Sequence, residues 1–219
     1  MTVCWFLEAR TADLAAVAAV VAAASGVTRA VLHTPATTHD PYLNDGAPPG
    51  LALQVYCETI EALEAALAGP LQALASCIPA DGTAQQAMLV RSFPVPEPAV
   101  RETMCAYLVS YAGPAGDLPV WLAHYIAHHT AIMARFPGIR AVEVYTRIDW
   151  CGGLPCRRVE HMQRNKVVFD DPAALTAALN SPARHEMRAD FAKFPPFTGA
   201  VTHFPMTART IYPSGEKTK

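Results

Sequence analysis

What the chain lacks sets the first limits. Only 16% of its 219 residues are charged, and the formal net charge is -2. There is no basic excess to neutralise phosphates and no Lys/Arg stripe interleaved with aromatics, which points away from nucleic acid as a partner. No apolar run approaches the ~20 residues that span a bilayer, so no membrane is expected. The Ala/Val stretch Leu14–Ala24 follows Glu8 and Asp13, has only Arg10 as a nearby cation and stops at Ser25-Gly26, so it reads as a helix rather than a secretion signal. No GxSxG elbow, no GxxxxGK[ST] loop and no GxGxxG after a strand occurs, which disfavours serine hydrolysis, phosphoryl transfer and hydride transfer. Cys4, Cys57, Cys77, Cys105, Cys151 and Cys156 are scattered, mostly within apolar patterns, as suits reduced thiols and a cytoplasmic protein.

What is present is a 52% hydrophobic composition, ample for a core, and an internal repeat. Residues 55–70 (VYCETIEALEAALAGP), shifted by 112 positions, fall on 167–182 (VVFDDPAALTAALNSP) with seven of sixteen positions identical. The same shift carries Gly26-Val27 onto Gly138-Ile139. Two copies of one supersecondary unit follow, neither able to bury its apolar surface alone. Thr11 or Asp13 can cap the first helix and Gly26 can end it. Strands are expected over 4–9, 27–33, 51–57 and 86–93, with a second helix over 59–68 and a Pro/Thr/Gly-rich loop over 34–49. This is the βαββαβ order of a ferredoxin-like motif. The order recurs after PVPEPAV, with strands over 104–111, 139–148, 159–169 and 201–212, a long helix over 117–136, and helices over 172–179 and 184–191. The expected division is 1–94 and 104–213 as the two repeats, 95–103 as linker and 214–219 as a disordered tail. The fold class is α+β: tandem ferredoxin-like repeats whose antiparallel sheets pack face to face as an α+β barrel. Closure between chains, and hence self-association, stays open.

The shift between repeats is 101 at the first strands (Cys4 to Cys105) and 112 after the helix, so the second copy's helix region is longer by eleven residues, about three turns. Leu122, Tyr125, His129, Ile132 and Phe136 follow one stripe of it, facing the sheet. Trp121, His124 and His128 fall on the other side. His124 and His128 lack an HExxH glutamate and a third ligand, so no metal site is assigned. His129 interrupts the apolar stripe. It is either a packed core histidine or an imidazole that moves a proton in a cavity between helix and sheet. Cys105, Tyr107, Val109 and Tyr111 share one strand face, and Glu143, Tyr145, Arg147 and Asp149 another; the latter is too polar for the helix-covered side and is expected to line the space between the sheets or a solvent-reached mouth. His161 and His203 lie on strands whose faces stay undetermined. Asp149-Trp150 suggests a cavity rim, and the CGGLPC segment reads as a plain Gly-Gly hairpin rather than a zinc knuckle.

The run from His129 to Pro137-Gly138, followed by the strand IRAVEVY, resembles EthD-like members of the dimeric α/β-barrel superfamily, in which a helix histidine precedes a Leu-Pro-Gly turn. NKVVFDDPAALTAALNSP and DFAKF are similar to that family's third strand and second helix. The resemblance covers most of 104–212. The family commonly has a proline two residues after the histidine, where this chain has Ala131. The resemblance implies cofactor-free chemistry of the lyase, isomerase or oxygenase kind on an apolar or aromatic small molecule. His129 would move a proton and Tyr145 or Tyr107 would orient the substrate, with Tyr111, Tyr125, Trp150, His161 and Arg147 contributing to binding. One site per chain is expected, because the first repeat's helix is Ala/Val throughout. A non-catalytic binding or structural protein, and a haem protein using one histidine, are the alternatives.

Overall fold

The computed structural model describes residues 1–38, 40–43 and 45–213; the expected tail, 214–219, lies outside the described residues. The elements are β1 (Val3–Ala9), α1 (Leu14–Ala23), β2 (Arg29–Pro35), β3 (Leu51–Cys57), α2 (Ile60–Ala68), a 3-10 segment (Pro70–Ser76) and β4 (Ala84–Phe93). After them come β5 (Thr103–Tyr111), α3 (Leu118–His124), a π-helical turn (Tyr125–His129), α4 (Thr130–Met133), β6 (Ala141–Arg147), β7 (Arg157–Arg158), β8 (Gln163–Phe169), α5 (Pro172–Leu179), α6 (Pro182–Phe191) and β9 (Val201–Ile211).

Eight of the strands close into an antiparallel barrel in the order β1-β3-β2-β9-β5-β8-β6-β4 and back to β1. Closure depends on the two long strands. β4 pairs β1 through Ala84–Leu89 and β6 through Met88–Phe93. β9 pairs β5 through Val201–Arg209 and β2 through Met206–Ile211. The two sheets expected to face one another are thus also joined edge to edge, which leaves no long strand of the barrel unpaired. The expected strand 159–169 is split: β8 starts at Gln163, and β7 is a two-residue parallel addition to β4.

Strand alternation sorts the core into three parts. Phe6, Val31, Tyr56, Met88, Ala106, Tyr145 and Val168 point into the barrel. Trp5, Leu7, Leu53 and Val55 point outward under α1 and α2. Tyr107, Val109, Tyr111, Val144 and Val167 point outward under the helices of the second half. β3 and β8, which the shift of 112 superposes end to end, are buried at every residue, because both faces are covered. Local signals hold as well: Asp13 accepts the Ala15 and Ala16 amides at the start of α1, and Gly26 turns at φ +78° after its end.

The barrel interior is polar on one side. The Lys166 ammonium has three donors and three acceptors, Glu143 Oε2 at 2.8 Å, Gln54 Oε1 at 3.0 Å and the Tyr56 hydroxyl at 2.7 Å. Tyr56 and Tyr145 also donate to Glu143, and Arg29 pairs with its other oxygen. Burial pushes the Glu143 carboxyl up, but Lys166 and Arg29 hold it well below the usual carboxylate range.

Candidate active site

A cavity of about 340 Å3 lies outside the barrel, between the outer face of β5 and β8 and the helices α4, α5 and α6. Val109, Met133, Phe136, Val167, Phe169 and Leu175 give it apolar walls. The polar groups that reach it are few: His129, Tyr107, Asn165, Arg184 and His203, with Arg188 at the exposed side. An apolar hollow with a small number of convergent polar groups is the usual form of a small-molecule site.

His129 reaches this wall because the long helix is not regular. The Thr130 amide bonds to the Tyr125 carbonyl, five residues back, so one residue is inserted into the α-helical ladder. In an unbroken α-helix His124 and His129 would stand about 140° apart. The wider turn aligns them, and both hold the same carboxylate of α6: Asp190 Oδ2 lies 2.7 Å from His129 Nδ1, and Oδ1 lies 3.3 Å from His124 Nε2. The insertion also corrects the expected helix faces. Trp121, placed by periodicity on the far side, is fully buried with Tyr125, His129 and Met133, whereas Leu122 is only half-buried.

An ionised carboxylate only accepts hydrogen bonds, so His129 Nδ1 carries the proton and Nε2 keeps its lone pair. Nε2 has no hydrogen-bond partner among the described residues. Burial pulls the imidazole pKa down to about 4, against the opposing pull of Asp190, so the ring is neutral at pH 7.

A second polar cluster comes from the loop after β2. Asp40 accepts the Tyr107 hydroxyl and lies 2.9 Å from an Arg184 terminal nitrogen. Asp45 Oδ2 lies 2.8 Å from both the backbone amide and Nδ1 of His203, and the Tyr107 and His203 rings lie 5.8 Å apart. Leu43 from the same loop lines the cavity. The first half of the chain therefore contributes part of the wall.

The structure brings His129, Tyr107 and Tyr111 to the cavity. Tyr125 stands just behind, stacked on Trp121 and accepting a hydrogen bond from Asn165. The other four residues named from the sequence lie elsewhere. Tyr145 shares a face with Glu143 as alternation requires, but that face is the barrel interior, on the opposite side of the sheet from the cavity. Arg147 is half exposed, 3.8 Å from Glu160. Trp150 lies beneath the Arg158 guanidinium and packs on the first-half core. His161 is held through its backbone by Gln86. The CGGLPC segment lies in the long connection between the paired strands β6 and β8 and docks on Gln85 of β4, and all six cysteines are free. Among the described residues no group of three or more His, Cys, Asp or Glu is placed to hold a metal ion, and no helix is long and apolar enough to cross a membrane.

Sequence reasoning passed over Asp190, Arg184, Asp40 and Asn165. A signal existed for two of them: Ala183, Arg184, Met187 and Asp190 share the buried side of α6, so two charges interrupt an apolar stripe.

The fold is shared with solved structures. A candidate monooxygenase from Fusobacterium nucleatum aligns with a TM-score of 0.63 and 8% identity over 98% of this chain and 94% of that one. An anthrone oxidase-like protein aligns with a TM-score of 0.62 and 15% identity over 99% and 94%. A candidate monooxygenase from Lactobacillus acidophilus aligns with a TM-score of 0.60 and 10% identity over 96% of each chain. At these identities the likeness is one of fold, an α+β barrel. No family model matches the sequence, and no curated protein matches it.

Proposed function

We propose that the protein is a cofactor-independent enzyme of the EthD-like kind, a cytoplasmic lyase, isomerase or oxygenase that takes a proton from an apolar or aromatic small molecule. The strand orders β4-β1-β3-β2 and β9-β5-β8-β6 support its description as two tandem ferredoxin-like repeats, 1–94 and 104–213, joined by 95–103. One observation carries the functional reading. A neutral, buried imidazole, fixed through Nδ1 by Asp190, holds an unpartnered Nε2 at an apolar cavity. Burial keeps the base form populated, and Asp190 stabilises the imidazolium that forms when the proton arrives. Tyr107 and Tyr111 on β5 bound the substrate's position.

The test is hydrogen-deuterium exchange into a panel of bicyclic carbon acids, 2-tetralone among them, followed by NMR. Wild type is expected to accelerate exchange, and His129→Ala and Asp190→Asn each to lose about 100-fold or more of that acceleration. The asparagine amide donates to Nδ1 and moves the ring proton to Nε2, which removes the lone pair. Binding without accelerated exchange would assign the cavity to a non-catalytic binding protein.

The haem alternative draws support from the same pair, since a carboxylate on Nδ1 is how a metal-ligating imidazole is oriented. The space does not fit. A hollow of about 340 Å3 lies at the low end of small-molecule sites. Walled by Tyr107, Tyr111, Phe136 and Phe169, it takes two or three rings rather than a tetrapyrrole with its propionates.

A further inference from the structure

Among the described residues, Arg184 has donors that no protein group accepts. It rises from the first turn of α6, six residues before Asp190, and is 7% exposed. A guanidinium carries five N–H donors. Among the described residues Asp40 takes one of them, and Nε is buried without a partner. Buried polar groups are rarely left unpaired, and the exceptions point to a role. The side chain lines the same cavity as His129.

The surrounding charges say what the spare donors fit. Asp40 neutralises Arg184, His129 is neutral and Asp190 is negative, so the inner cavity has no positive excess to attract a carboxylate or phosphate. Arg188 is exposed and lies over the Tyr42 ring at 4.6 Å, at the rim. His203 is committed to Asp45. Beside the Asn165 amide, the inner wall therefore offers, among the described residues, an unpartnered acceptor at His129 Nε2 and terminal N–H donors of Arg184 that no protein group accepts.

We propose that Arg184 is a second catalytic residue, donating to a neutral carbonyl or phenolic oxygen of the substrate and stabilising the negative charge that reaches this oxygen as His129 removes the proton. The C–H or O–H electron pair stays with the substrate and delocalises to the oxygen, while the proton goes to Nε2. The products of the step are an enolate or phenolate and an imidazolium, and no oxidant is consumed. Asp40, from the loop after β2, positions the guanidinium. The inference rests on the proposed function and narrows its substrates to compounds with such an oxygen.

The test compares 2-tetralone with tetralin, which has the same two rings and no oxygen. Wild type is expected to bind the ketone about tenfold or more tightly than the hydrocarbon by calorimetry, and to shift the carbonyl stretch of 13C-labelled 2-tetralone to lower frequency. Arg184→Met, which has no N–H donor, is expected to bring the two affinities within about twofold and to abolish both the infrared shift and exchange. His129→Ala should keep the ketone preference and lose exchange alone. Equal affinities in wild type, or an unshifted carbonyl, overturn the role of Arg184 without any variant having to fold, and exchange then persists if the His129 reading holds. Failure of both compounds to bind overturns the two readings together.

Discussion

His129 shows why burial matters more than identity at the scale of single residues. Of the eight histidines in the chain, burial drives His33 down to about 3, and His129 and His161 to about 4. Each imidazole is held neutral in the fold, whereas in the unfolded chain it takes a proton near 6.5. Between those values the unfolded state binds more protons, so stability is fully present above about pH 6.5 and is lost as pH falls toward 4. The cost approaches about 1.4 kcal/mol per pH unit for each fully buried histidine. Urea unfolding from pH 7.5 to 5 is expected to show a falling midpoint. The slope should be shallower in His129→Asn by close to one proton's share, and a slope equal to wild type would mean that His129 titrates as in water. Glu8 and Glu143, held low by Arg164 and by Lys166 with Arg29 despite burial, add loss of the same sign at still lower pH.

At the scale of elements, what the sequence discloses depends on whether a feature has a periodic mark. β3 with α2 and β8 with α5 repeat one another in residue pattern, and the structure gives the two strands equal length and burial. Parity along β6 puts Glu143 and Tyr145 on one face and their polarity assigns that face to the space between the sheets, where both lie; what fails is the pairing of Tyr145 with His129, which stands on the other side of the sheet. The π-helical turn has no compositional mark at all, since one inserted residue leaves the apolar spacing plausible on either side. Asp190 stays hidden for a related reason: its pairing with His129 joins elements sixty-one residues apart. The turn is testable as an element. Ala127 is exposed within it, and deleting this residue restores α-helical spacing. The deletion rotates Trp121 and His124 away from their present surroundings relative to His129 and Met133. A loss of roughly 3 kcal/mol or more, a fall in melting temperature of about 6–12 °C, is expected. The His129 ring should also lose its Nδ1–H tautomer by 15N NMR. A deletion that melts like wild type would show the turn to be incidental.

At the scale of the whole molecule, the two halves are coupled through the barrel interior more than through the linker. The inward cluster takes Cys4, Phe6, Val31, Tyr56 and Met88 from the first half and Met104, Ala106, Tyr145, Val168 and Ala208 from the second. The polar network is divided in the same way: Arg29, Gln54 and Tyr56 stand opposite Glu143, Tyr145 and Lys166. Separated, the first half would expose an arginine with no carboxylate, and the second would keep a buried Lys166–Glu143 pair with two of the ammonium's three acceptors gone. Desolvating charges without their partners is among the costliest things a fold can do. The long strands add to this, because β4 would lose β6 and β9 would lose β2. Residues 1–94 and 104–213 produced as separate polypeptides are therefore expected to remain poorly structured as monomers, with narrow amide dispersion and no cooperative melt. Refolded together in equal amounts, they should regain the dispersed spectrum and a cooperative melt. A monomeric half that melts cooperatively on its own would show that each sheet can cover its inner face unaided, and that the shared network is a consequence of closure rather than its cause.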